Sequence, residues 1–237
     1  MSPLYLLVAL TAINHLSFSS VRLAVSLYAV HLHASLATIG VLMEIFGLLS
    51  ALTSVSAGRW VDRVGPKNPM LWASASMVAG AALAFVWRDL AALYIVSAVV
   101  GTLFNVFFIA YQPLVGQYGR PEDRVRNFSV ASVGISVSSF ISPLVTGFAI
   151  DGLGYAETFL LVAALPLVPL TVIGLGKLPF PAVARRHAKP AGGAADSGVL
   201  QLLGNRDLRR IYSLSLLANV TWNLFSGLGT QSRARQA

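Results

Sequence analysis

Long apolar stretches separated by short polar breaks make up most of this chain. They predict helices at about 4–30, 36–57, 69–87, 90–113, 127–150 and 155–176. Each stretch has about 20 residues or more, enough for a helix to cross a hydrocarbon core of roughly 30 Å. A Pro-, Ala- and Gly-rich segment at 179–208, which we interpret as a linker, separates them from a seventh predicted helix at 209–230 and a polar tail at 231–237.

Composition agrees with a membrane protein. Hydrophobic residues make up 56% of the chain and charged residues only 11%, whereas soluble domains carry about 25% charged residues. The apolar stretches are continuous and do not show the ten-residue alternation of a membrane β-barrel. We therefore predict an all-α, polytopic membrane protein whose constant partner is the lipid bilayer.

The basic residues are distributed unevenly along the chain. Most of the 17 Lys and Arg residues lie in the loops after helices 2, 4 and 6, whereas the opposite loops hold only Arg88. Cytoplasmic loops carry such an excess, so the pattern predicts a cytoplasmic N-terminus in a bacterial-type inner membrane. The net charge of +8 is explained by this topology, and we expect no nucleic-acid partner. The absence of cysteine excludes disulfides and thiolate chemistry.

The segment 58–67 reads Gly-Arg-Trp-Val-Asp-Arg-Val-Gly-Pro-Lys and separates helices 2 and 3. Its Gly residues and charges predict a short loop that makes the two helices antiparallel neighbours. The segment resembles the signature loop of the major facilitator superfamily (MFS), in which a Gly, an Asp-Arg pair, a second Gly and a basic residue recur. The matching residues are Gly58, Asp62, Arg63, Gly65 and Lys67, while Pro66 stands where the family usually has Arg.

This resemblance implies an MFS-type fold. The chain would be the N-terminal six-helix half of a transporter plus helix 7, and thus a truncated protein. Family members are secondary active transporters of small solutes that work by alternating access, with the substrate between two halves. In the family, the loop Asp contacts a helix N-terminus in the other half. Pro143 and Gly147 in helix 5 loosely resemble the family's antiporter motif, although Ser142 replaces its leading Gly.

Arg22 and Glu44 are ionisable residues within predicted membrane helices. Counted from the outer helix ends, both lie roughly 12–14 Å below the surface, and a short turn joins their helices. Such groups are costly in a membrane and usually pair or face a cavity. Either they form a polar site in which Arg22 attracts an anionic group and Glu44 carries a proton, or they form a structural ion pair between helices 1 and 2.

Asn14, His15, Asn105 and Gln112 are further candidates to contact substrate. Asn14 in helix 1 and Asn105 in helix 4 lie at similar depths, and the resemblance implies that these two helices line the cavity. Hydrogen bonding between helices explains Asn residues in lipid equally well. For His15, which stands alone, hydrogen bonding between helices is favoured over a proton relay.

The sequence shows no catalytic set, phosphate-binding loop or metal-ligand spacing, so we expect no enzyme activity and no cofactor. The resemblance implies that the substrate is a small molecule. We expect that a single half does not transport alone and needs a missing C-terminal half or a second copy. A half-size transporter acting as a dimer and a seven-helix receptor or sensor are the alternatives.

Overall fold

The computed structural model describes residues 2–180, so the predicted linker beyond Phe180, the seventh helix and the tail lie outside the described residues. The described helices are α1 (Pro3–His31), α2 (Leu36–Val64), α3 (Lys67–Val86), α4 (Leu90–Gln117), α5 (Arg124–Leu153), α6 (Tyr155–Ala164) and α7 (Leu167–Gly174). Counting α6 and α7 as one span, six helical segments are long and apolar enough to cross a membrane. Six such spans are typical of a multi-pass integral membrane protein.

The helices are arranged as a row with a second layer on one side. Within the row, α5, α1, α4 and α2 pack side by side in that order. The second layer consists of α3 and the α6–α7 span, which pack against α4 and α1. Two clusters of buried apolar side chains fill the space between the layers, one at each end of the bundle. The opposite side of the α5–α1–α4–α2 row is not covered by a second layer among residues 2–180, and we call it the open side.

Several helices extend further than the sequence indicated. Helix α2 continues through Gly58 to Val64, because residues 59–64 contain neither Gly nor Pro, and it ends where Gly65 adopts a φ of +82°. The segment expected to be a loop is thus largely the last turns of α2, and α3 already begins at Lys67. Helix α4 passes through Pro113 to Gln117. In the sixth span, where two prolines predict a kink, the helix is interrupted at Leu165–Pro166.

Side-chain hydrogen bonds define several helix ends. Ser35 accepts a bond from the Thr38 amide at 3.1 Å, and Asp89 accepts one from the Ala91 amide at 2.8 Å, which satisfies free N–H groups at the starts of α2 and α4. At the end of α4, the Tyr118 hydroxyl donates to the carbonyl of Pro179 at 2.6 Å. Burial raises the pKa of Tyr118, so this hydroxyl stays protonated and able to donate at neutral pH.

Candidate functional site

An aromatic cluster lies where α1 meets α4, near the middle of both helices. The Phe18 and Phe104 rings stack with centroids 4.2 Å apart, and His15 meets Phe104 edge-on at 5.5 Å. Phe108 continues the row one turn along α4, with its centroid 6.0 Å from that of Phe104. All four side chains are only partly buried. We call His15, Phe18, Phe104 and Phe108 the aromatic wall.

Helix geometry explains this cluster. His15 and Phe18 are three residues apart on α1, and Phe104 and Phe108 are four apart on α4, so each pair shares one helix face. Behind the wall, the buried Phe46 of α2 meets Phe18 edge-on at 6.0 Å. A Cβ on Gly101 of α4 would lie 2.7 Å from the Phe46 carbonyl oxygen, so α2 approaches α4 closely only because this residue is glycine.

The side chain of Asn105, next to Phe104 on α4, forms hydrogen bonds that join α4 to α2. Its Nδ2 donates to the backbone carbonyl of Ser50 at 3.0 Å and to the hydroxyl of Ser54 at 3.1 Å, both on α2. The alternative of interhelical hydrogen bonding thus describes Asn105 in this structure. Gln112, two turns further along α4, is exposed.

Asn14 makes no hydrogen bond to Asn105 in this structure. Its side chain is fully buried, and neither Oδ1 nor Nδ2 has a hydrogen-bond partner among residues 2–180. The neighbouring residue Ser17, one turn on, donates to the Val162 carbonyl of α6 at 2.8 Å. Asn14 therefore lies within the packed part of the bundle, and no hydrogen bond joins it to Asn105.

Arg22 and Glu44 do not form the ion pair that their depths allowed. Both side chains are exposed, and no salt bridge joins them in the part of the chain that the structure describes. Arg22 follows Phe18 by four residues and His15 by seven, which places it on the same side of α1 as the wall. Glu44 precedes the buried Phe46 by two residues, about 200° around α2, so it faces away from the wall.

The signature segment and the helix 5 motif lie away from the wall. Gly58, Asp62 and Arg63 occupy the last turns of α2, and Asp62, Arg63 and Lys67 are exposed. Within residues 2–180, Asp62 takes part in no salt bridge. In α5, Pro143 is exposed and Gly147 has open space around it. Their neighbour Ser142 instead accepts a 3.3 Å bond from the Ser20 hydroxyl of α1.

The sequence interpretation missed the aromatic wall. The missing signal was the spacing of Phe104 and Phe108 on α4, together with the placement of Phe18 and His15 on one face of α1. Candidates chosen for their polarity alone included Asn14, whose side chain is fully buried, and did not include the aromatic rings. As for metals, no group of three or more His, Asp or Glu side chains that could hold an ion comes together among the described residues.

Three comparisons with known proteins bear on this arrangement. The family model described as "Major Facilitator Superfamily" matches residues 7–232. Multidrug resistance protein 2 of Bacillus subtilis (strain 168) is 28% identical over 138 residues, which cover 58% of this chain and 34% of that protein. The chain thus spans about a third of this curated relative's length.

Solved transporters show the same fold at low identity. A crystal structure of the peptide transporter POT in complex with sulfate superimposes with a TM-score of 0.69 at 20% identity, over 91% of this chain and 45% of that one. A bacterial homologue of the human lysosomal transporter Spinster, in an inward-facing and unoccupied conformation, gives a TM-score of 0.62 at 18% identity, over 84% of this chain and 48% of that one. The chain therefore spans less than half of each of these transporters.

Proposed function

Because the chain belongs to the major facilitator superfamily, we propose that it forms one wall of a secondary transporter that moves small solutes by alternating access. In this proposal, the open side of the α5–α1–α4–α2 row faces the translocation path. A second six-helix unit closes the cavity and rocks against the first.

The observation that carries this proposal is the surface of the open side. It presents His15, Phe18 and Arg22 near the middle of a membrane span, where an exposed charge is costly unless it faces water or a counter-charge. A protein that needed only an anchor would place apolar side chains there. A cavity that binds solutes explains a mid-span surface that combines rings with a cation.

The outer helices of the row supply the argument for a second unit. Only 11% of the most apolar stretch of α2 and 22% of that of α5 is buried, against 44–50% for the other spans. Large side chains such as Leu52, Phe140 and Phe148 are 69–77% exposed on these two helices. We propose that they pack against a second unit of the same fold, because the solved relatives are about twice as long as the matched region.

The second unit is either further chain, as in the solved relatives, or a second copy. We place the N-terminus and the exposed Asp62 on the cytoplasmic side of an inner membrane, following the distribution of Lys and Arg. Asp62 then accepts hydrogen bonds from a helix N-terminus of the second unit, an arrangement that the helix dipole favours. This contact stabilises one of the alternating states.

The proposal is tested by reconstitution. The 237-residue chain is purified and placed in liposomes alone, and in parallel with a separately expressed C-terminal six-helix unit from a superfamily relative. Uptake of a panel of radiolabelled peptides, amphipathic dyes and aromatic acids is followed, and light scattering gives the oligomeric state in detergent.

We expect no concentrative transport by the monomeric chain and gradient-driven transport by the paired units. Concentrative transport by a monomer would contradict the need for a second unit. Transport by a stable dimer of the chain would identify the second copy as that unit. No transport of any solute by paired units that form a stable complex would contradict a transport function.

A further inference from the structure

We propose that the aromatic wall and Arg22 together bind an amphipathic aromatic anion, such as an aryl carboxylate. The ring would pack against Phe18 and Phe104, and the anionic group would pair with the Arg22 guanidinium. This inference rests on the proposed transport function, since it names the substrate class of the same open side. It is also testable by binding alone.

The rings supply a surface that suits a flat partner. Phe18 and Phe104 are nearly parallel, with an interplanar angle of 12°, and Phe104 and Phe108 are inclined by only 26°. Aromatic pairs prefer offset-stacked or edge-to-face arrangements, and they contribute to binding beyond the burial of their area. Because these rings are partly buried and still reachable, another ring extends the row and covers their remaining surface.

The charge near the wall determines the sign of the ligand. Arg22 lies one helical turn beyond Phe18 on the same side of α1, roughly 6 Å further along the helix axis. The acidic candidate, Glu44, points to the other side of α2 from Phe46 and so away from the wall. A cationic ligand packed on the rings would lie near the Arg22 cation, which is unfavourable.

The distance between the rings of the aromatic wall and Arg22 also allows a single ligand to contact both. Phe18 and Arg22 are one helical turn apart, which is about the distance from the centre of an aromatic ring system to a carboxylate attached to it. The long side chain of Arg22 can span a further distance to the carboxylate. Guanidinium binds carboxylate through two parallel N–H···O bonds, which fixes the orientation of the ligand. Because Arg22 has no ion-pair partner among residues 2–180, an anion there offsets the cost of holding the charge within the membrane span.

The test uses ligands that share a ring system and differ in charge. The purified chain in lipid nanodiscs is titrated with 2-naphthoate, neutral 2-naphthamide and cationic 2-naphthylmethylamine, and binding is followed by thermophoresis. We expect 2-naphthoate to bind at least tenfold more tightly than either of the others. Cyclohexanecarboxylate, which keeps the anion and loses the aromatic ring, should bind at least fivefold more weakly than 2-naphthoate.

Substitutions test the contributions of Arg22 and of the aromatic wall to binding separately. Arg22→Gln should abolish the preference for 2-naphthoate over 2-naphthamide, and Arg22→Lys should retain part of it. Phe104→Leu should weaken all three naphthyl ligands by a similar factor. Phe148→Leu is the matched control, because Phe148 is 77% exposed on α5 and is not part of the wall. Its replacement should leave the binding of all four ligands by the isolated chain unchanged.

Three outcomes would overturn the inference. They are tighter binding of the cationic ligand, a preference for 2-naphthoate that survives in Arg22→Gln, and no binding of any naphthyl ligand by folded protein. If 2-naphthoate does not bind while the reconstituted units transport another solute, the substrate class is wrong and the transport function stands. If it binds with the expected dependence on Arg22 but nothing is transported, the site stands and the transport function fails.

Discussion

The two sides of α1 use polar residues in different ways. On the packed side, Ser17 bonds to the backbone of α6, Ser20 bonds to Ser142 of α5, and Asn14 is fully buried. On the open side, His15 and Arg22 have no bond to another helix among the described residues. Polar side chains on one membrane helix thus hold the bundle together on one side and make no interhelical hydrogen bond among residues 2–180 on the other.

This difference shows that polarity alone does not identify a translocation path. Small hydroxyl groups in lipid join helices, because they satisfy themselves at short range on neighbouring carbonyls. Among residues 2–180, Arg22 forms no salt bridge, and the hydrogen bond of His15 is to Ser19 of its own helix. Substitutions on the packed side should therefore lower stability, and substitutions on the open side should affect binding.

The largest effect is expected at Gly101, on the packed contact between α4 and α2. In Gly101→Ala, the new Cβ would lie 2.7 Å from the Phe46 carbonyl oxygen and 2.8 Å from its Cα, so the backbones must separate. We expect a loss of about 1–3 kcal/mol, as for other overpacked contacts. The thermal unfolding of the purified chain in detergent measures this loss.

Gly47→Ala on α2 is the matched control. Nothing lies within 4 Å of a Cβ built there, and alanine is favoured over glycine inside a helix by about 1 kcal/mol. The control should match or exceed the stability of the unchanged chain. Equal stability of the two variants would show that the close approach of α2 and α4 does not contribute to the fold as described.

Asn105→Ala should give the second-largest effect. The change removes two hydrogen bonds to α2, at 3.0 and 3.1 Å. Bonds between membrane helices average about 0.6 kcal/mol each, so we expect a loss of about 1 kcal/mol in thermal unfolding. Gln112→Ala, an exposed position on the same helix, is the control. If Asn105→Ala leaves stability unchanged and abolishes 2-naphthoate binding, Asn105 belongs with the open side.

Ser17→Ala tests the packed side of α1 itself. Its hydroxyl donates one bond of 2.8 Å to the Val162 carbonyl, and we expect its removal to cost about 0.6 kcal/mol. Ser132→Ala is the comparison, since Ser132 bonds only to the Phe128 carbonyl of its own helix and is exposed. Ligand binding should be unaffected in both variants. A change in 2-naphthoate affinity in Ser17→Ala would mean that the two sides of α1 are coupled.

The number of described spans and their order could be predicted from the sequence, because each apolar stretch has to cross the same thickness of lipid. The signature segment also identified the family, which the match over residues 7–232 confirms. The predicted C-terminal end of α2 was wrong, because the helix continues beyond residue 57 to Val64. Charged residues there suggested a loop, but helices commonly continue into the aqueous layer and end at a residue such as Gly65 that tolerates a positive φ.

The details of the site could be predicted less well, because depth does not fix direction. Equal depth made Asn14 and Asn105 candidates for one layer, and made Arg22 and Glu44 candidates for a pair. Each helix nevertheless rotates its side chains by 100° per residue, so contact depends on how neighbouring helices are turned toward each other. That rotation is set by packing, for example by Gly101 against Phe46, and packing cannot be read from single positions.

The smallest effect on stability is expected for Arg22→Gln, and this variant tests the comparison most directly. Arg22 is exposed and has no salt bridge among residues 2–180, so its replacement should change the free energy of unfolding by less than about 0.5 kcal/mol. The same variant should lose its preference for 2-naphthoate over 2-naphthamide, whereas Asn105→Ala should show the opposite pattern. Thermal unfolding and ligand titration on one preparation give both values. If Arg22→Gln destabilises the chain more than Asn105→Ala does, Arg22 supports the structure, and the open side of α1 is not free for a ligand.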